Sequence, residues 1–157
     1  KAFGFLKLQL NKTSIRQKKG KRMASIFSKI IEGSIPSVKI DETANEIAFL
    51  DIMPCAEGHT LIVPKKEVER FEDMDSQDTA SLMVFLHRTA KAVSSAFGGV
   101  DYNVILNNGV QAGQEVMHVH YHIIPRTERS SRMFGNRNDA TTEELQKTAE
   151  KIKKFLS

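Results

Sequence analysis

The chain has 157 residues, 40% of them hydrophobic and 27% charged, the length and apolar content of one compact domain with a real core. Its longest apolar runs, such as residues 47–50 and 61–63, fall far short of the ~20 residues that cross a bilayer, and its one cysteine, Cys55, excludes an internal disulfide and a cysteine-only metal cluster. The net charge is +4, but residues 1–24 hold eight of the 23 basic side chains and none of the 19 acidic ones; the other 15 basic residues leave the body at about −4.

Residues 1–24 read as a solvated basic tail and residues 25–157 as the folded domain. A transit-peptide-like leader, an arm for nucleic acid or an acidic membrane, and residues foreign to the natural chain stay open as alternatives for the tail. The body is expected to be cytoplasmic, or mitochondrial if the tail is a native leader, with no membrane span and no nucleic-acid partner.

From Ser25, the residues Ile26, Phe27, Ile30 and Ile31 share one helical face, and Gly33 can end that helix with a positive φ. Residues 38–42, 46–52 and 59–63 are β-rich runs separated by polar, Pro or Gly breaks, which predicts consecutive antiparallel strands. Residues 76–97 lack Gly and Pro and carry Leu82, Val84, Phe85, Leu86 and Val93, a long helix with Ser76 as its expected N-cap. Strands are predicted over 101–106 and 116–124 around a Gly-rich loop, followed by a helix over 142–156 capped by Thr142 with Glu144 behind it. Five strands with these helices make an α+β fold built on a five-stranded antiparallel sheet.

His118, His120 and His122 alternate with Val119, Tyr121 and Ile123, so an extended chain puts three imidazoles on one face and three apolar groups on the other. Clustered imidazoles disfavour one another's protonation, so a neutral nucleophile can persist at pH 7, and the titration belongs to the cluster. Neutral imidazole can attack phosphorus and leave again, splitting a phosphoryl transfer into two steps. Two other readings of the alternation stay open: His-x-His chelation of zinc, and a purely structural role. The stretch from Asn107 through Gly109 and Gly113 to Gln114 is longer than a tight hairpin turn, and its glycines allow backbone amides to face an anion.

The run Gly113-Gln114-Glu115-Val116-Met117-His118-Val119-His120-Tyr121-His122-Ile123-Ile124 resembles the signature of the histidine-triad (HIT) superfamily. Phe27 to Pro36, Ala48 to Ile52, Gly58 to Lys65 and the long helix extend the resemblance to its Hint-like branch over about residues 25–135. The resemblance implies a HIT-like fold that pairs into a homodimer through the long helix and a sheet edge, and a purine nucleotide substrate. It implies His120 as the nucleophile that forms a nucleotidyl-histidine, with His118, His122 and His59 orienting it and managing protons. Asn107, Gly113, Gln114 and Glu115 match the phosphate-contacting stretch, with an acid at Glu115 where many relatives have Ser or Thr. Asp51 matches the ribose-binding carboxylate, and Phe27, Phe49 and Ile52 match the slot for the base. A carboxylate suits a cis-diol and apolar planes suit a purine, although ordinary core packing is the competing reading of the three apolar residues. His87 reads as a helix residue without a catalytic part.

Two departures stand out. Ser25 and Ser28 occupy positions where some relatives carry a zinc-binding Cys-x-x-Cys pair, so no metal and no cofactor are expected. The chain has no tryptophan where many relatives end in a Trp-containing segment; it continues through Pro125-Arg126. The expected activity is hydrolysis of purine nucleoside 5′-phosphoramidates such as adenosine 5′-phosphoramidate. Hydrolysis of dinucleoside polyphosphates, whose enzymes also place Pro-Arg after the triad, and a nucleotide-binding regulatory module with weak catalysis are the alternatives.

Overall fold

Strands β1 (Lys39–Glu42), β2 (Glu46–Leu50), β3 (Thr60–Pro64), β4 (Asp101–Leu106) and β5 (Tyr121–Arg126) form one antiparallel sheet in the order β1-β2-β3-β5-β4. This computed structural model describes residues 24–129 and 133–156, so the readings of the basic tail up to Met23 lie outside the described residues. Every residue of β2 and β3 is buried, because both faces of the sheet centre are covered. On one face Ala48, Leu50, Ile62, Val119, Tyr121 and Ile123 pack against the helices α2 (Ser76–Ala96) and α3 (Thr142–Lys153). On the other, Ile47, Phe49, Leu61 and Val63 pack against Phe27 of the short helix α1 (Ile26–Ile31). The sequence alternation thus separates a helix-backed core from the face that carries the histidines.

Capping accounts for the helix ends. Ser25 caps α1 by accepting from the Ser28 amide at 3.0 Å, and Gly33, at φ 80°, ends it with its amide on the Ile30 carbonyl. α2 is capped by Asp75, one residue before the expected Ser76, since the Asp75 carboxylate accepts from the Gln77 amide at 2.8 Å. α3 is capped by Thr141 and not Thr142, because a capping box needs its acid three residues on and Glu144 supplies it. No helix among the described residues is long and apolar enough to cross a membrane.

Two strands differ from expectation for local reasons. β2 ends at Leu50, before residue 52, because the Asp51 carboxylate accepts the Met53 amide at 2.9 Å and turns the chain. β5 begins at Tyr121 rather than 116: the His118 amide bonds back to the Val116 carbonyl at 2.8 Å and the Val119 amide goes to the Val68 carbonyl at 2.7 Å. His118 and His120 therefore precede the regular strand, and only His122 lies in it.

The turn between β2 and β3 sets His59 in place through Gly58, which sits at φ +84°, where a Cβ would come 2.5 Å from Cε2 of Phe97. Gly58→Ala combines a left-handed backbone penalty with overpacking and is expected to cost about 2 kcal/mol or more. Urea denaturation of the variant measures this, and a loss within experimental error would show that the turn relaxes freely.

Candidate active site

A cavity of about 570 Å³ opens on the sheet face that carries α1. Of the predicted site residues it gathers His120, His122, Asp51, Ile52, Phe27, Asn107, Gly113 and Glu115 on its walls. His118, His59, Phe49 and Gln114 stand behind that wall, all four buried. Exposed His87 lies on α2, away from the cavity. A second cavity of about 500 Å³, between the 54–59 turn and α3, touches His59 but not His120, so it does not reach the central imidazole.

Backbone partners fix which nitrogen of each neutral ring carries the proton. His120 Nδ1 lies 2.7 Å from the His118 carbonyl, which can only accept, so Nδ1 holds the proton and Nε2 the lone pair. His118 Nε2 donates to the Pro64 carbonyl at 2.8 Å, leaving Nδ1 to accept from the Ser25 hydroxyl at 2.9 Å. The Cys55 amide donates to His59 Nδ1 at 3.3 Å; His59 Nε2 then donates to His122 Nδ1 at 2.9 Å, and the remaining His122 proton sits on Nε2. The rings of His120 and His122 are 5.0 Å apart, so a free nitrogen lone pair stands beside an N–H donor at the cavity.

These rings are uncharged at neutral pH. Burial pushes His118 and His120 below the ordinary value of 6.5. Burial, only partly opposed by Asp51, takes His59 down to about 4. Burial, then the neighbouring His120, His59 and Arg137, takes His122 down to about 3.

The loop after β4 is held by Gln114, whose Oε1 accepts the Gly109 amide at 2.6 Å and whose Nε2 donates to the Glu69 and Val116 carbonyls at 2.8 and 3.0 Å. The amides of Ala112, Gly113 and Gln114 donate within the loop. Those of Glu115 and Val116, both on the cavity wall, have no acceptor among the described residues. Asn107 donates to the Gly113 carbonyl at 3.3 Å. Ile52 is 63% exposed at the cavity rim, whereas Phe49 is 3% exposed and meets Phe27 edge-on at 5.7 Å, so Phe49 backs the slot that Phe27 lines.

The segment before α3 adds residues that no sequence pattern marked. Phe134 packs edge-on against His122 at 5.1 Å, and Arg137 pairs with Asp51 at 3.1 Å and with Glu115 at 3.4 Å. Neither periodicity nor spacing in the sequence pointed to these two side chains.

At the α1 corner, Glu67 accepts from the Ser28 hydroxyl and from the Ser25 amide, while the Ser25 hydroxyl serves His118. Hydroxyls already committed to hydrogen bonds are poor zinc ligands, so these residues do not fit a structural zinc. Asp51, His59 and His122 each bring a ligand atom to within 4.8 Å of the others, a set that can hold a metal ion, although the facing nitrogens of the two rings already bond each other.

Comparison with known proteins matches residues 32–129 to the HIT domain family. An adenosine 5′-monophosphoramidase of Saccharomyces cerevisiae is 46% identical over 113 residues, covering 71% of this chain and 69% of that protein. A HIT-like protein of Methanocaldococcus jannaschii is 42% identical over 124 residues, 78% of this chain and 95% of its own length. Among solved structures, a HIT-like protein of Bartonella henselae involved in cell-cycle regulation superposes with a TM-score of 0.76 at 39% identity, covering 84% of this chain and 96% of that one.

The lowered histidines tie stability to pH. Their folded values lie below the unfolded 6.5, so the unfolded chain binds more protons once the pH drops under 6.5. Their contribution is complete above 6.5 and is lost as the pH falls toward about 4 for His59 and about 3 for His122. Unfolding free energy measured in urea should hold between pH 8 and 7 and fall between 6.5 and 5, with a limiting slope of about 1.4 kcal/mol per pH unit for each fully discharged ring. A flat profile down to pH 5 would contradict the neutral cluster.

Proposed function

The chain belongs to the histidine-triad family, and on that premise we propose that it hydrolyses purine nucleoside 5′-phosphoramidates, adenosine 5′-phosphoramidate among them, through a nucleotidyl intermediate on His120. The observation that carries this reading is the 2.7 Å hydrogen bond from His120 Nδ1 to the His118 carbonyl, which leaves Nε2 as a lone pair facing the cavity. The base lies between Phe27 and Ile52, with Phe49 behind, and the ribose hydroxyls donate to Asp51. The α-phosphate sits beside His120, within reach of the Glu115 and Val116 amides and next to Asn107 and Gly113. Gln114 serves by holding the loop.

Nε2 of His120 attacks phosphorus, and the bond from phosphorus to nitrogen breaks. The positive charge that develops on the His120 ring is stabilised through Nδ1–H by the His118 carbonyl. A proton taken up at His59 Nδ1, 3.7 Å from Asp51, shifts the His59 Nε2 proton to His122 Nδ1. The His122 imidazolium then gives its Nε2 proton to the departing amine and is left with a free Nε2. That nitrogen accepts a proton from water as the water oxygen attacks phosphorus and displaces His120; the reverse shift from His122 Nδ1 to His59 Nε2 then returns the Nδ1 proton of His59 to solvent, and the nucleoside monophosphate is released.

The homodimer reading draws support from exposed apolar side chains on α2 and on edge strand β4: Val84, Tyr102 and Val104.

His120→Ala should fold and bind AMP while kcat drops about a thousandfold or more. Mass spectrometry of the wild type quenched during turnover should find a nucleotide on His120, and His120→Ala should never form the adduct. Activity of the wild type that disappears with a chelator and returns with stoichiometric zinc would replace the nucleophile with a metal on Asp51, His59 and His122. Faster turnover of a diadenosine polyphosphate than of adenosine 5′-phosphoramidate would favour the polyphosphate reading.

Asp51→Ala should weaken binding of AMP by about 1.5–3 kcal/mol more than that of its 2′,3′-dideoxy analogue, since only AMP offers both hydroxyls. Equal losses by calorimetry would remove Asp51 from the ribose.

A further inference from the structure

Arg137 has no part in the steps above, yet among the described residues no other lysine or arginine lines the cavity. Its Nη2 lies 3.1 Å from Asp51 Oδ2, its Nη1 3.4 Å from Glu115, and its Nε donates to the Met53 carbonyl at 3.1 Å. Three residues earlier in the chain, Phe134 packs against His122, which keeps this segment over the triad.

Charge balance in the cavity makes this arginine necessary to an anionic ligand. Its other ionisable walls are two carboxylates, Asp51 and Glu115, and two imidazoles, His120 and His122, that are uncharged at neutral pH. A phosphate placed beside His120 would meet net negative charge without Arg137. The same guanidinium competes for Asp51 with ribose hydroxyls: Nη2 spans Oδ2 at 3.1 Å and Oδ1 at 3.5 Å, Oδ1 also accepts the Met53 amide at 2.9 Å, and Asp51 is only 6% exposed.

On the nucleotide reading above, we infer that Arg137 is a phosphate-recognition residue that exchanges Asp51 for the nucleotide's phosphate when ribose takes Asp51. The guanidinium stays tethered at Met53, and its planar fork matches two phosphate oxygens. A nucleoside without phosphate breaks the Asp51–Arg137 pair and gives the arginine nothing in return. The exchange therefore makes the site select 5′-phosphorylated nucleosides over free ones.

Calorimetric titration of AMP and of adenosine into wild type, Arg137→Met and Arg137→Lys tests the exchange. Arg137→Met should lose about tenfold to a hundredfold in AMP affinity, the loss of a charged hydrogen bond, while adenosine binds as before or more tightly because Asp51 is released. Arg137→Lys should recover part of the AMP affinity. Arg137→Gln, which keeps donors for Asp51 but no charge, guards against misfolding, and the ratio of AMP to adenosine affinity does not depend on the fraction of folded protein. Equal changes for both ligands would reduce Arg137 to a lock on Asp51 or a structural contact, and unchanged AMP affinity would also overturn the assignment. A wild type that binds adenosine and AMP equally well overturns it too, whereas a wild type that binds neither sinks the nucleotide reading and this inference with it.

Discussion

The hydrogen bond between His120 Nδ1 and the carbonyl of His118, two residues earlier, is the constraint on which the rest of the site depends. It sets a tautomer, and the tautomer decides whether Nε2 is a nucleophile or a donor. The bond requires the His118 carbonyl to face the ring of His120. That orientation follows from the backbone before β5, where the Val119 amide is taken by Val68 and the His118 ring is anchored on Pro64 at the end of β3. A regular strand starting at residue 116 would have spent those groups on a neighbouring strand. The late start of β5 is thus part of what fixes the His120 tautomer.

Behind that bond stands a sheet whose two faces have different duties. Val119, Tyr121 and Ile123 are locked into the helix-backed core, so the intervening histidines cannot turn away from the opposite face. A buried neutral imidazole is tolerable there only because its polar atoms are partnered: His118 by Ser25 and Pro64, and His59 by Cys55 and His122. Burial that disfavours the imidazolium also keeps the His120 ring neutral at the cavity wall. The acid sensitivity of the fold and the neutrality of the site therefore share one cause.

Much of this was legible in the sequence because it depends on period-two alternation and on turn chemistry. The five strands, the long helix and the common face of the histidines follow from where apolar side chains recur. Helix caps missed by one residue because Asp75 and Ser76, or Thr141 and Thr142, are equivalent cap formers by type, and only the position of the amide they accept tells them apart. Gln114 read as a phosphate contact, since an amide in a Gly-rich loop can serve either purpose; two of its three hydrogen bonds stay within the loop, and the third reaches the Glu69 carbonyl, 45 residues away. Phe134 and Arg137 left no trace, because a loop residue brought over a cavity by the docking of α3 carries no periodic signal.

The serines at 25 and 28 make a last connection between a short helix and the triad. Related sequences that place cysteines there can tie α1 down with a metal. Here the tie consists of hydrogen bonds: Glu67 takes the Ser28 hydroxyl and the Ser25 amide, and the Ser25 hydroxyl both caps α1 and reaches His118. A six-residue helix has little stability of its own, so this corner holds Phe27 at the cavity. It also acts on the chemistry. The Ser25 hydroxyl accepts the Ser28 amide and so directs its proton to His118 Nδ1, which matches the donation of His118 Nε2 to Pro64. A fixed His118 ring holds the adjoining backbone, and with it the carbonyl on which the His120 tautomer rests. The helix cap and the His120 ring are consecutive links of one hydrogen-bonded chain, which a metal at this corner would replace with a different set of charges.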